Sequence, residues 1–418
     1  KIIVVKFAGE AISDSSFSRL IYDLALLNSI GIRLLMVYGA RPQIEARMNT
    51  NGLTATYKDG LRVTDAATME CVKETVGALA IEIKAKLSMS LDNTPMADAC
   101  VRVTDGNFLV AQPLGVRAGT DFQYTGKVRR VDVNSINTKL DNNEIVLVPP
   151  IGYSPTGEIF NFSADDVATE LSIAMNADKL IFMTEADGLM NGHGKPIRQL
   201  TRIEAENFLK NTKYNDTDVQ QQYDQFKQGV YACSKGIQRV HLIDRQVDGS
   251  LLQELFSRDG IGAMISAAPF DVIRTATVDD IAGILELIQP LENEGILVQR
   301  SREKLELEID HFTVILRDGV IIGCTALYPF AEEPAAELSC LVVHPDYQKG
   351  GMGSELFNWI EKIARESDLS QLYVLTTHAE HWFLERGFIQ TNMEKLPVSR
   401  QLFYNYKRSS KILVKNIN

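Results

Sequence analysis

The run Gln348, Lys349, Gly350, Gly351, Met352, Gly353 sits between an apolar β-type stretch, Glu337 to Val343, and an amphipathic helical stretch that opens near Ser354. Glycines carry no Cβ, so backbone N–H groups in such a loop can close on a diphosphate. The helix start adds unpaired donors and the positive end of its dipole, and Lys349 adds a cation. The chemistry implied is the binding of a cofactor that carries a pyrophosphate. Taken alone, the loop also reads as a tight turn before a helix. It is not G-x-x-x-x-G-K-[ST], and it follows a late strand rather than the first strand of a βα unit, so it fits neither a Walker A loop nor a dinucleotide fingerprint.

A second group of residues suits anions of another kind. Arg300 and Arg302 open a helical stretch, and Arg408 precedes the last apolar run with Ser410 beside it. Arginine binds carboxylates bidentately, so two separated arginines would suit a substrate with two carboxylates. Each taken singly also reads as a surface charge. The five cysteines, Cys71, Cys100, Cys233, Cys324 and Cys340, form no C-x-x-C pair. Their scatter points to reduced thiols and to no metal site.

Elements must position these groups. A chain of 418 residues, 45% hydrophobic and 23% charged, is too long for one core and has the make-up of a globular protein of two or three domains. With 43 Lys plus Arg against 54 Asp plus Glu, the net charge of -11 argues against nucleic acid as a partner. No apolar run reaches the roughly 18 to 20 residues that span a bilayer, and no signal peptide opens the chain, so no membrane role and a cytoplasmic location are expected. The first residue is Lys rather than Met, which leaves room for a preceding segment.

Lys1 to Ile12 reads as a buried strand, the stretch to Gly31 as a helix and Ile32 to Arg41 as a second strand and turn. This order implies a right-handed parallel crossover and an open, mostly parallel α/β sheet with helices on both faces. The pattern continues through Asn143 to Gly152, a helix starting near Ser163 to Asp166, Asp178 to Gly188 and Gly236 to Asp244. Asn211 to Gln228 is polar and Gln-rich and reads as a solvated helix or mobile segment. A first domain over 1–265, a linker at 266–269 and a second domain over 270–418 are expected. The second opens with a strand and two helices, then a hairpin about the Asp318-Gly319 turn.

The loop at 348–353, the hairpin before it and the segment Trp382 to Phe388 after it resemble the GNAT superfamily of N-acetyltransferases over about 270–418. That resemblance implies acetyl-CoA as co-substrate, lying in a V-shaped opening between Cys340, Leu341, Val342 and Val343 on one strand and Leu372 to Thr376 on another. The backbone of the first strand would pair with the pantetheine arm. It also implies direct attack of an amine on the thioester, with Cys340 as a core residue rather than an acyl carrier. Glu337, at the start of that strand, could then take the proton of the substrate ammonium.

The segments Lys6 to Glu10, Tyr38 to Ile44, Gly60 to Asp65, Asn161 to Ala168, Met183 to Gly188 and Ser257 to Ile265 resemble the amino-acid kinase family over about 1–265. Such a domain joined to a GNAT domain resembles the N-acetylglutamate synthases, which acetylate the α-amine of L-glutamate at the start of arginine biosynthesis. The resemblance implies that Arg300, Arg408 and Ser410 hold the glutamate carboxylates, that Glu337 is the base and that Thr376 protonates the leaving thiolate. It further implies L-arginine as a feedback effector bound at Glu254, Gly260, Ile261 and Gly262, and a homo-oligomer, as in hexameric relatives.

The kinase family writes K-x-G-G and H-G-G-G where this chain has Lys6-Phe7-Ala8-Gly9 and Tyr38-Gly39-Ala40-Arg41. Side chains then stand where phosphate must approach backbone, and a G-G-M-x-P-K segment is not recognisable near Phe226 to Tyr231. The expectation is a domain that keeps the kinase fold without phosphoryl transfer. Residual kinase activity, a non-catalytic arginine and CoA sensor, and a protein-lysine acetyltransferase are the alternatives; the arginines disfavour the last.

Overall fold

The computed structural model describes residues 1–14, 16–88, 101–185, 196–211, 217–257, 260–267, 271–317, 319–406 and 408–417. Cys100, Ala186 to Gly188, Asp318, Pro269 and part of the Gln-rich stretch lie outside them. The chain forms two compact units, Lys1–Ala268 and Pro269–Asn418.

In the first unit, strands rich in Val, Ile and Leu build an eight-stranded sheet. Its order is Gln199–Thr201, Ala263–Ser266, Arg239–Asp244, Lys179–Thr184, Ile2–Phe7, Arg33–Tyr38, Ile145–Val148 and Val103–Thr104. Every pairing is parallel except that of Arg239–Asp244 with Ala263–Ser266. Alternation sorts the side chains: Val4, Val37, Val146 and Phe182 pack into one core, and Val5, Met36, Leu147 and Ile181 into another. Both faces are apolar because each is covered by helices, which is why the strands read as continuous hydrophobic runs. A second, four-stranded sheet of Ile159–Asn161, Ile151–Tyr153, Leu109–Pro113 and Gly126–Val131 had no counterpart in the sequence reading.

Two expectations change here. Ser266, expected in the linker, is the last residue of a strand and pairs with Arg239. The Gln-rich stretch forms the helix Thr217–Ser234, and it is not simply solvated. Gln225 and Phe226 are buried in it, and Gln225 and Gln228 donate to Asp165 and Asp166 at 3.3 and 2.5 Å. Glutamines read as polar in sequence because their half-buried carboxylate partners lie some sixty positions away.

The second unit is a seven-stranded sheet ordered Asp271–Thr275, Phe312–Arg317, Val320–Pro329, Ala335–Val343, Gln371–Thr376, Lys411–Asn416 and Ile389–Thr391. Only Ala335–Val343 and Gln371–Thr376 run parallel, and their pairing covers just Ala335, Ala336 and Glu337 against Gln371, Leu372 and Tyr373. Beyond Glu337 the two strands part. The cause is local: Ala326 pairs with Ser339 but Cys324 with Val342, so an extra residue bulges out of Ala335–Val343. Cys340 takes a left-handed backbone there, with φ of 54°. Packing behind the split comes from the helix Met352–Glu366, whose Leu356, Phe357 and Ile360 are buried.

Candidate active site

The parting of the two strands opens a cavity of about 160 Å³, lined from one side by Glu337 to Leu341 and from the other by Val374 to Ala379. Its volume is below the roughly 300 Å³ where drug-sized pockets begin, which suits an amino acid and the end of a longer ligand arm. Seven residues singled out from sequence meet on its wall: Arg300, Glu337, Cys340, Leu341, Thr376, Arg408 and Ser410. They come from segments spread over more than a hundred positions.

Each is held in a definite way. Arg300 precedes the helix Arg302–Glu308 and donates from Nη1 to the Val298 carbonyl and from Nη2 to Ser339 Oγ, both at 3.0 Å. Arg408 donates to the Ile296 carbonyl, and its buried Nε has no hydrogen-bond partner among the described residues. Burial and the charge of Arg300 lower the pKa of Arg408 below its ordinary value. Two guanidinium groups that repel each other across a cavity form a place for anions. Arg302, in contrast, points elsewhere: two-thirds exposed, it pairs with Glu306 one helical turn away.

Thr376 ends its strand half-buried, and its Oγ1 accepts the N–H groups of His378 and Ala379 at 3.3 and 2.9 Å. Cys340, expected in the core, is buried but reaches the cavity wall because the bulge turns it there. Contact with the Cys324 thiol, helped by Arg300, lowers the Cys340 pKa below the ordinary thiol value. Ser410 closes the wall, and its carbonyl accepts the Tyr404 hydroxyl at 2.8 Å.

Sequence reasoning missed Arg400. It lies in the short helix Val398–Gln401, and its guanidinium pairs with both carboxylate oxygens of Glu337, Nη2 to Oε1 at 3.3 Å and Nε to Oε2 closer still. Nothing in its surroundings in the sequence sets it apart from the other arginines. Ser339, Tyr404 and Asn405, also on the wall, were missed for the same reason.

The glycine loop lies away from the cavity. A 3-10 turn, Pro345–Gly350, leads into the helix Met352–Glu366, with Gly351 at its N-cap in the left-handed region, φ of 85°. A Cβ there would meet nothing, so conformation rather than space calls for glycine. Gln348 Nε2 donates to the Val343 carbonyl at 3.2 Å, tying the loop to the end of the bulged strand. Ser354 Oγ accepts Arg386 Nη2 at 2.7 Å, and Arg386 stacks 3.5 Å over Trp382. These contacts fix the first turn of the helix.

In the first unit, the Glu254 carboxylate already has partners of its own. It is buried, Oε2 accepts the N–H groups of Ile261 and Gly262 at 2.6 and 2.8 Å, and Oε1 lies 2.6 Å from His241 Nδ1. Burial pushes this carboxyl up, but His241 and the two backbone donors outweigh it and bring the pKa down to about 2. Burial holds the His241 pKa below its ordinary value, and its bare Nε2 fits a neutral ring donating from Nδ1. Gly260 is left-handed, φ of 61°, and a Cβ there would come within 2.5 Å of Glu254 Oε2.

Where phosphate would approach a kinase fold, side chains pair with one another. Lys6 is buried against Asp165 at 2.7 Å, and Gln43 donates to the Gly9 carbonyl at 2.6 Å. Arg41 pairs with Glu45 and lies 4.3 Å over the Tyr57 ring. Burial, then the charges of Asp165, Glu170 and Asp224, push the Asp166 carboxyl up to about 6. Among the described residues, no group of three His, Cys, Asp or Glu side chains could hold a metal ion, and no helix is long and apolar enough to cross a membrane.

A kinase-like sheet in one unit and a split GNAT sheet in the other define the class as a fused acetyltransferase. The amino acid kinase family model matches residues 1–244, and the acetyltransferase (GNAT) family model matches 281–388. Amino-acid acetyltransferases of Aliivibrio fischeri and Pseudomonas putida are 48% and 47% identical, each over 99% of this chain and 94% of its relative. A crystal structure of N-acetylglutamate synthase from Neisseria gonorrhoeae complexed with coenzyme A and L-arginine superposes with a TM-score of 0.90 at 35% identity, covering 99% of this chain and 95% of that one. The same protein complexed with coenzyme A and N-acetyl-glutamate gives 0.62, covering 100% and 95%. The chain belongs to the amino-acid acetyltransferase family, and it is an acyltransferase.

Proposed function

We propose that this protein transfers the acetyl group of acetyl-CoA to the α-amine of L-glutamate and that L-arginine inhibits it. The observation that carries the reading is the pair Arg300 and Arg408, facing one cavity with no carboxylate partner for their side chains among the described residues, beside Glu337 at the point where two strands part. Acetyl-CoA supplies the thioester carbon that the amine attacks. The unpaired edges of Cys340 to Val343 give its arm backbone partners, and the loop Gln348, Lys349, Gly350, Gly351, Met352, Gly353 with Ser354 receives its diphosphate.

Arg300, Arg408 and Ser410 hold the two substrate carboxylates and fix the amine toward the split. Glu337 removes the ammonium proton, directly or through water, so that a neutral amine attacks. Thr376, its oxygen already accepting two N–H groups, gives its own hydroxyl proton to the departing thiolate. The first unit, Lys1–Ala268, keeps a kinase fold whose phosphate approaches are closed by Lys6–Asp165, Gln43 and Arg41, and it serves regulation. Arginine would bind about Glu254, Gly260, Ile261 and Gly262, its guanidinium taking over part of the carboxylate now bonded to His241 and the turn. A cytoplasmic homo-oligomer is part of the same proposal.

The test is a panel of free L-amino acids scored by thiol release from acetyl-CoA, with and without L-arginine. Glutamate should stand alone or nearly so, and arginine should suppress its rate. A stronger response to a neutral or basic amino acid would overturn the reading.

A further inference from the structure

The ion pair between Arg400 and Glu337 takes up the group that the reaction needs. Both oxygens of the carboxylate face the guanidinium, and Arg400 Nη1 is anchored in turn to the Phe403 carbonyl at 2.9 Å. A substrate ammonium must compete with this guanidinium for the carboxylate, because two cations crowd one anion. Among the described residues, the cavity wall carries three guanidinium groups, those of Arg300, Arg400 and Arg408, and one carboxylate, Glu337. This leaves an excess of two positive charges, which matches the two carboxylates of an acidic amino acid. A substrate with a single carboxylate leaves one guanidinium unmatched.

Resting on the acetyl-transfer reading above, we infer that Arg400 is a positioning residue that covers Glu337 in the substrate-free site and is drawn off it by the side-chain carboxylate of an acidic substrate. The segment that carries it is built to shift. The helix Val398–Gln401 is four residues long, and Leu402, Phe403 and Tyr406 just after it are 80%, 78% and 69% exposed. Few buried contacts then oppose a movement, whereas Glu337 is fixed by strand pairing with Tyr328 and Tyr373. When the side-chain carboxylate arrives, Arg400 joins the guanidinium groups that hold it and gives up Glu337. Glu337 is then free for the ammonium. Acetylation removes the positive charge of the amine, so Arg400 can return to Glu337 as the product leaves. Selectivity for acidic substrates thus includes a step in which the substrate itself uncovers the base.

The experiment measures thiol release from acetyl-CoA by the full chain, the Arg400→Gln variant and the Arg400→Lys variant, each with L-glutamate and with L-glutamine, alongside thermal melting. Arg400→Gln should raise KM for glutamate and lower the glutamate-to-glutamine ratio of kcat/KM by at least about tenfold, since glutamine no longer meets a covered base. Arg400→Lys, which keeps the charge, should retain most of the preference. A ratio left unchanged by Arg400→Gln overturns the inference. So does a parallel loss on both substrates with a lowered melting temperature, which is what a purely structural ion pair would give. If the unaltered protein ignores glutamate altogether, the acetyl-transfer reading itself falls, a result distinct from either of these.

Discussion

The two units treat their charges in opposite ways. In the kinase-like unit three buried charges are matched internally: Lys6 by Asp165, Glu254 by His241 and two backbone N–H groups, Arg245 by Asp14 and Glu185. In the acetyltransferase unit, Arg300 and Arg408 face the cavity, and their acceptors among the described residues are carbonyl or hydroxyl oxygens. An internally matched charge stiffens a fold, whereas an unmatched one beside a cavity waits for a ligand. Catalysis is therefore expected to break in the second unit with little change in stability, and regulation and stability to break together in the first.

The largest effect should come from Glu337→Gln, which removes the base while keeping the size of the side chain. Thiol release with saturating glutamate should fall by at least about a hundredfold, with melting unchanged within a few degrees. Next, Arg408→Ala and Arg300→Ala should each raise KM for glutamate by roughly ten- to a hundredfold, the worth of one charged hydrogen-bonded contact. Equal weakening for glutamate and for a monocarboxylate amino acid would argue against a carboxylate role for the residue concerned.

The first unit should answer differently. Glu254→Ala should abolish arginine inhibition while uninhibited turnover stays within about twofold, and unchanged inhibition would remove Glu254 from the effector site. Gly260→Ala forces a methyl group against the Glu254 carboxylate in a left-handed backbone, so it should cost about 1–3 kcal/mol of stability as well as blunt the arginine response.

The smallest effect is electrostatic. Because the folded pKa of Asp166 lies near 6, above its ordinary value of 3.8, ionising it opposes folding above about pH 6 and stops doing so as pH falls toward about 4. Asp166→Asn should therefore raise the melting temperature at about pH 7.5 and lose that advantage at about pH 4.5. An advantage that is the same at both would mean that the carboxyl is not held up by burial.

How far these features could be read beforehand depends on their range along the chain. Elements with a strong local pattern were legible: the strands Ile2–Phe7 and Arg33–Tyr38, the helix Phe17–Ser29 between them and the hairpin strands Phe312–Arg317 and Val320–Pro329. The small mixed sheet was not, because its strands are only three to six residues long, too short to show a clear alternation. Glu254 was found as a residue of note, yet its inward, saturated state depends on His241 in a neighbouring strand.

By itself the sequence determined the two folds, the glycine loop before its helix and a short set of arginines and acids, since residue type and local spacing carry that information. Only the tertiary structure decided that Arg300 and Arg408 share a cavity, that Arg302 does not, and that Arg400 covers Glu337. The split that makes the cavity arises from a bulge whose register is set between Val320–Pro329 and Ala335–Val343. Pairing register is a property of two strands at once, and no single stretch of sequence states it.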